Sequence, residues 1–167
     1  MARGRSNKLV GQTGEYLVAA ELSRQGLIAT TFTGNVPNYD IIASDERGKH
    51  VSVQVKASRG SSWQFGDITR FCEISFKGKC QVVGRLKPSP VRRLIVVFVL
   101  IDANRADRYY ILTWRTLRDV LVRGHKAYLA KRNGMRAEKW DSFHSAIAEK
   151  TLKPYRDRWD IVEKNLR

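Results

Sequence analysis

Apolar and polar residues alternate clearly in two stretches around residue 50. Across residues 50–56 (His-Val-Ser-Val-Gln-Val-Lys) every second residue is a valine, which is the two-residue period of a half-buried strand. Residues 40–43 (Asp-Ile-Ile-Ala) follow the same period, with Ile41 and Ala43 on one side. Residues 45–48 between them (Asp-Glu-Arg-Gly) are turn formers. The pattern therefore predicts an antiparallel hairpin.

The register of this hairpin decides which side chains share a face. A three-residue loop with Gly48 as a bulge places Asp40 opposite Gln54 and puts all the apolar residues of both strands on the core face. Asp40, Gln54 and Lys56 then share the other face. A shift by one residue would mix apolar and polar side chains on both faces, which a buried sheet resists. We therefore expect a carboxylate, an amide and an ammonium group on one surface.

A helix is predicted upstream, over residues 7–24, ended by Gly26. A 4-3-4 spacing puts four of its residues on one stripe: Gly11, Glu15, Val18 and Leu22. Two small residues, Gly11 and Gly14, would let other backbone approach closely, so we expect an inward role for Glu15. A buried carboxylate needs a cation or a donor.

The rest of the chain predicts a sheet with one insertion. The pattern predicts a first strand over residues 27–32 and a loop over 33–38 that leads to Asp40. A short inserted hairpin follows at 74–83, and then a central strand buried on both faces at 94–102. A last strand at 109–112 precedes a helix capped by Thr113. Trp63 and Phe65 are expected to cover the core. We also expect a short amphipathic helix over 140–148 and an apolar C-terminal segment that docks. The order is α-β-β-β, insertion, β-β-α.

Length and composition favour one domain with a real core, at 167 residues and 43% hydrophobic content. No apolar run reaches the length of a transmembrane span and no secretory signal is evident, so we expect a cytoplasmic protein. Cys72 and Cys80 have no second pair, which excludes a usual structural zinc site. They are expected as reduced thiols, with a hairpin disulfide as the alternative in an oxidising compartment or a hyperthermophile.

The net charge of +15 is concentrated in two stretches. Residues 77–93 hold six Lys and Arg and no acids, and residues 105–139 hold ten against three acids. This excess indicates a polyanion-binding surface, and the lack of a basic helix with a broad aromatic face favours nucleic acid over a membrane. Nine basic residues are predicted to contact nucleic acid: Arg59, Lys77, Lys79, Arg85, Lys87, Arg115, Arg118, Arg123 and Lys126.

The shared polar face has a chemical use. The oxygens of Asp40, of Gln54 and of a nearby backbone carbonyl are hard ligands that suit a small divalent cation such as magnesium. Lys56 beside that cation would orient an attacking water, while the metal neutralises charge on a phosphate.

These residues resemble a known family. Asp40, then Gln54-Val55-Lys56, with a Gly14-Glu15 helix upstream, is similar to the PD-(D/E)XK nuclease superfamily, over about residues 8–56. The motif Gln54-Val55-Lys56, with glutamine in place of the acid, resembles that of the branch that includes some intron-encoded homing endonucleases. The chain departs from the family pattern twice, because Pro37 stands three residues before Asp40 and because Gln54 replaces an acid.

The resemblance implies a restriction-endonuclease-like α/β fold, an αβββ…βα core with a mixed central sheet flanked by helices. In this chain the core would span about 7–122, with an inserted hairpin at about 63–90 and a helical extension over about 123–167. It also implies a catalytic set of Glu15, Asp40, Gln54 and Lys56. Magnesium, with manganese as a substitute, would be held by Asp40, Gln54, the Val55 carbonyl, and Glu15 directly or through water.

The leading hypothesis is a magnesium-dependent endonuclease that hydrolyses phosphodiester bonds in double-stranded or branched DNA. Cutting both strands needs two sites, so a homodimer or larger oligomer is expected. One alternative is a non-catalytic nucleic-acid-binding protein on the same fold, which the neutral Gln54 favours. The acids Glu15 and Asp40 oppose it, because a mere binder gains nothing from acids that face phosphate. A Holliday-junction-type resolvase is the other alternative.

Overall fold

The computed structural model describes residues 3–32 and 36–166, so Thr33, Gly34 and Asn35 of the predicted loop lie outside the described residues. The helices are α1 (Arg3–Arg24), α2 (Trp114–Ala130), α3 (Glu149–Leu152) and α4 (Asp160–Asn165). The strands are β1 (Ile28–Thr31), β2 (Ile41–Ser44), β3 (His50–Ser58), β4 (Ser62–Phe65), β5 (Cys72–Lys77), β6 (Cys80–Leu86), β7 (Ile95–Leu100), β8 (Arg108–Thr113) and β9 (Ser145–Ala148). None of the helices within these ranges is both long and apolar enough to cross a membrane.

The chain divides into two compact units. The first unit comprises Met1–Trp63, Ser89–Trp114 and Ala148–Arg167, and the second comprises Gln64–Pro88 and Arg115–Ile147. The single-domain organisation expected from the chain length stays a prediction.

The main sheet is mixed and has the strand order β1-β2-β3-β7-β8. β1, β2 and β3 pair antiparallel, β3 and β7 pair parallel, and β7 and β8 pair antiparallel. All six residues of β7 are buried, which confirms the prediction of an inner strand covered on both faces. The predicted order α-β-β-β, insertion, β-β-α is also confirmed. β4 with β9, and β5 with β6, form separate two-stranded sheets.

The β2–β3 hairpin has the predicted register. Ile41 faces Val53 and Ala43 faces Val51. The N–H of Asp45 donates to the Lys49 carbonyl at 2.9 Å, which closes a three-residue loop. Gly48 in that loop has φ +77°, a conformation that costs glycine little. The bulged loop thus fixes which side chains enter the core.

The core of the first unit lies between the sheet, α1 and α4. Its buried residues come from all these elements: Val18, Leu22, Ile41, Ala43, Val51, Val53, Val55, Ile95, Val97, Val99, Ile111 and Val162. Trp159, Ile161 and Leu166 pack against this cluster, which confirms that the C-terminal segment docks. Trp63 is buried against Phe98 of β7, and the two rings meet edge-to-face at a centroid distance of 5.4 Å. The prediction that Trp63 covers the core is therefore confirmed.

In the second unit the prediction of a helix over 140–148 is wrong. Residues 140–144 form turns and irregular structure, and they are followed by β9, which begins at Ser145. Gln81 Nε2 donates to the carbonyls of Trp140 and Ser142, both at 2.9 Å, and the Ile68 N–H donates to the Phe143 carbonyl at 2.8 Å. A helix would need those carbonyls for its own amides, so these long-range partners replace it.

The two cysteines of this unit are free thiols. The β5–β6 register pairs Cys72 with Leu86 and Lys77 with Cys80, so the two residues stand at opposite ends of the hairpin. Cys80 lies beside the hairpin turn and Cys72 at the far end of the strand pair, and the reduced state expected for both thiols stays a prediction.

Candidate active site

Asp40 precedes β2 at the point where pairing with β3 begins. Its N–H donates to the Val53 carbonyl at 2.8 Å, and its Oδ2 accepts from the Val55 N–H at 2.7 Å. One backbone bond and one side-chain bond therefore hold this carboxylate against β3. Only one of its two oxygens is used for the bond to Val55.

β3 carries the next three predicted residues. Extending the hairpin register by one position places Asp40 opposite Gln54, as predicted. Gln54 is 6% exposed and Lys56 is partly buried, both on the sheet face opposite the valines. Because the N–H and C=O of a strand residue face the same neighbouring strand, the Val55 carbonyl is directed to the side where Asp40 lies.

Glu15 of α1 is partly buried and interacts electrostatically with this hairpin. Burial raises the pKa of Glu15 above its ordinary value, the charge of Asp40 raises it further, and the charge of Lys56 opposes the rise. The structure thus brings Glu15, Asp40 and Lys56 into one electrostatic cluster with Gln54 beside them. A carboxylate whose pKa is raised by burial and by a specific charge partner is typical of functional sites.

Gly14 lets α1 approach β3 directly, one residue before Glu15. A Cβ placed on Gly14 would lie 2.4 Å from the Ala57 Cβ and 3.4 Å from Val55 Cγ1. The prediction of a close approach is therefore confirmed at Gly14. It is wrong at Gly11, where an added Cβ would meet nothing within 4 Å.

The predicted nucleic-acid contacts separate into the two units. Arg59 belongs to the first unit and the other eight residues to the second. Seven of the nine are exposed: Arg59, Lys77, Lys79, Arg85, Arg115, Arg123 and Lys126. Arg123 and Lys126 line a pocket of about 260 Å³ with Leu86, Asp119 and Val122.

Arg118 and Arg85 already have protein partners. The Arg118 guanidinium donates to the Lys87 carbonyl at 3.1 Å and pairs with Asp119 at 2.8 Å, with 15% of its side chain exposed. We infer that Arg118 holds the end of β6 to α2. Arg85 pairs with Glu73 at 3.1 Å on the open surface, and such pairs contribute little, so a phosphate would compete easily for Arg85.

No family model matches the chain, and no curated protein matches its sequence. Two solved structures are similar to it. The bacterial homing endonuclease I-Ssp6803I is 15% identical, with a TM-score of 0.51 over 95% of each chain. The Holliday junction resolvase Hjc of the archaeal hyperthermophile Archaeoglobus fulgidus is 14% identical, with a TM-score of 0.46 over 92% of this chain and 95% of the resolvase.

The chain has a restriction-endonuclease-like fold. The predicted fold class, with its αβββ…βα core and mixed sheet, is confirmed. At identities this low the likeness concerns the fold, and the roles of the individual residues rest on their own geometry.

The donor set of this restriction-endonuclease-like fold fits magnesium. In residues 3–32 and 36–166 no three His, Cys, Asp or Glu side chains are grouped to hold a metal, so a cation here would rely on two carboxylates with amide, backbone and water oxygens. Magnesium is usually bound in that way, through one or two carboxylates while it keeps several waters. The charge of Asp40 raises the pKa of Glu15, and a bound cation would offset that repulsion between the two carboxylates.

Two groups of side-chain contacts in the second unit are not predictable from the sequence pattern. The Arg132 and Arg136 guanidinium carbons lie 5.0 and 5.6 Å from the centroid of the Tyr128 ring. Phe76 packs on Trp140 and Phe143, with centroids 5.3 and 5.9 Å apart. The aromatic contacts join a hairpin to a segment about sixty residues later, so no local spacing announces them.

Proposed function

We propose that the chain is a metal-dependent endonuclease that hydrolyses phosphodiester bonds in DNA. The observation that carries this proposal is the electrostatic cluster of Glu15, Asp40 and Lys56, with Gln54 beside it on the same hairpin. The fold shared with a homing endonuclease is consistent with it.

Each residue of the cluster has a role in the proposal. Asp40, Gln54 and the Val55 carbonyl would hold magnesium or manganese, with Glu15 bound directly or through water. When bound, the cation would neutralise charge on the phosphate and would lower the pKa of the attacking water. The Val55 N–H keeps Asp40 Oδ2 in place. Lys56 Nζ would orient the attacking water and take part in its proton transfer.

The basic surface would hold the DNA backbone. The second unit contains 13 Lys and Arg against 5 Asp and Glu, a net charge of +8. Such an excess supplies attraction to phosphates without sequence information. Since one cluster cuts one strand, double-strand cleavage would need a second copy, and we propose a homodimer or larger oligomer.

The test is incubation of the purified protein with supercoiled plasmid DNA and with branched DNA, in magnesium, in manganese or in EDTA. We expect nicked and linear products with either metal and none in EDTA. Lys56→Ala should cut about 10²–10⁴-fold more slowly, the usual contribution of a positioned proton-transfer group, and bind DNA as before. Lys49→Ala, which removes an exposed lysine from the hairpin turn, is the matched control and should cut like the parent.

Three outcomes would contradict the proposal. Cleavage that continues in EDTA would show that the reaction does not require a metal ion. Cleavage by Lys56→Ala at the rate of the parent would show that this lysine has no catalytic role. DNA binding without cleavage under any metal would favour the non-catalytic nucleic-acid-binding protein.

A further inference from the structure

The second unit exposes two neighbouring aromatic rings. Phe76 at the end of β5 is 38% exposed and Trp140 is 40% exposed. Their rings meet edge-to-face at a centroid distance of 5.3 Å and an interplanar angle of 86°, and Phe143 lies against Phe76 at 5.9 Å. We call Phe76, Trp140 and Phe143 the aromatic patch. Contiguous exposed aromatic rings mark an interaction surface more often than a scattered apolar residue does.

The backbone beneath the aromatic patch is fixed by buried bonds. Gln81, opposite Phe76 in the hairpin, is 4% exposed, and its Nε2 donates to the carbonyls of Trp140 and Ser142 at 2.9 Å. Carbonyls only accept, so the amide orientation is determined, and Gln81 Oε1 accepts from His125 Nε2 at 3.0 Å. The backbone that carries Phe76 and Trp140 is therefore held in place before any ligand arrives, which lowers the entropy cost of binding.

The charge around the patch identifies its occupant. Lys79 lies in the hairpin turn that follows Phe76, and Lys139 precedes Trp140. Both lysines are exposed, as are the acids Glu138 and Asp141 on either side of Lys139 and Trp140. Lys77 follows Phe76 in β5, so its side chain lies on the other face of the hairpin. The unit carries a net charge of +8. A surface that combines flat apolar rings with lysines is complementary to a ligand that combines flat rings with anionic groups, and nucleic acid is that ligand.

We propose that the aromatic patch stacks on an unpaired base of a DNA substrate, while Lys79 and Lys139 contact the adjacent phosphates. Inside a duplex the bases stack on each other, so only an unpaired base at a bulge, a branch or a strand end offers a free face. The second unit thereby selects DNA that contains unpaired bases over continuous duplex.

The inference shares with the proposed function the premise that the chain binds DNA, and it is tested by binding in EDTA, where cleavage plays no part. The DNAs are a continuous duplex, the same duplex with one unpaired base near its centre, and a single strand, each with a fluorescent label. Anisotropy should show the unpaired base increasing the affinity of the parent. Trp140→Ala should lose about 5- to 150-fold on the bulged duplex and the single strand, which corresponds to ~1–3 kcal/mol for one stacked base, and change little on the continuous duplex.

Three control variants separate stacking from charge and from folding. Trp140→Phe keeps an aromatic ring and should restore most of the selectivity. Val82→Ala removes a comparably exposed apolar side chain of β6, 37% exposed, and should change neither affinity nor selectivity. Lys79→Ala should weaken all three complexes alike. The Trp140 emission, obtained as the parent spectrum minus that of Trp140→Phe, should be quenched by the bulged duplex and not by the continuous duplex.

Three results would overturn the inference. Equal affinity of the parent for bulged and continuous duplexes excludes selection of unpaired bases. Equal losses by Trp140→Ala on all three DNAs reduce the patch to a structural role. Self-association that Trp140→Ala abolishes, with DNA affinity unchanged, assigns the patch to a second copy of the chain. Failure of cleavage in magnesium, by contrast, would overturn the proposed function and leave this inference standing.

Discussion

Gly14→Ala should destabilise the protein although alanine is the better helix former. The added Cβ would lie 2.4 Å from the Ala57 Cβ, well inside the contact distance of carbon atoms. Ala57 Cβ is attached rigidly to the backbone of β3, so α1 and β3 have to move apart. Overpacking of this kind costs about 1–3 kcal/mol, and we place this substitution in the upper half of that range.

Gly11→Ala is the matched control on the same helix. Its Cβ would meet nothing within 4 Å, so only the helix propensity changes and the variant should gain up to ~1 kcal/mol. The same gain reduces the loss in Gly14→Ala to roughly 1–2 kcal/mol. For a chain of 167 residues, 1 kcal/mol moves the melting temperature by about 2–4 °C, so Gly14→Ala should melt about 2–8 °C lower than the parent and Gly11→Ala a few degrees higher.

Thermal melts by circular dichroism measure both variants directly. Because Gly14 is adjacent to Glu15, displacement of α1 should also raise the magnesium concentration needed for cleavage. A Gly14→Ala variant that melts at or above the parent would refute the close contact between α1 and β3 and, with it, the position given to Glu15.

Three further outcomes are expected. Burial, assisted by Asp40 and opposed by Lys56, raises the pKa of Glu15 in the folded protein, so its contribution to stability is present below the ordinary value of 4.5 and is lost as the pH rises through the folded pKa. Glu15→Gln should therefore melt higher than the parent at pH 7 without metal, and a lower melting temperature would contradict the burial. Binding to duplex DNA should weaken steeply between roughly 50 and 200 mM salt, with a slope of ~0.9 per phosphate contact, and salt-insensitive binding would exclude backbone contacts. Gln54→Glu should keep cleavage and require less magnesium, because it adds a charge without changing side-chain length.

The hairpin was predictable because its chemistry is local. Alternating valines, the turn residues and Gly48 all specify one register, and a slip of one residue would expose the apolar face. The all-apolar strand β7 was predictable for a related reason, since an inner strand has no polar face. The face shared by Asp40, Gln54 and Lys56 follows from this local pattern.

The remaining features depend on distant partners. Residues 140–148 have a helical pattern, but Gln81 captures their carbonyls from another part of the chain. Gly14 and Gly11 look alike in sequence, and only the packing of α1 on Ala57 distinguishes them. Tertiary contacts of this kind override local propensity.

The cleavage rate measured against magnesium concentration, for the parent, Asp40→Asn, Glu15→Gln and Gln54→Ala, tests the central claim most directly. Asparagine keeps an oxygen that can accept from the Val55 N–H, so Asp40→Asn removes charge with little change in geometry. We predict that Asp40→Asn needs far more magnesium or stops cutting, that Gln54→Ala is the mildest variant because water can replace one neutral oxygen, and that Glu15→Gln lies between them. If Asp40→Asn cuts like the parent while Gln54→Ala is inactive, the assignment of these residues to a metal site is wrong.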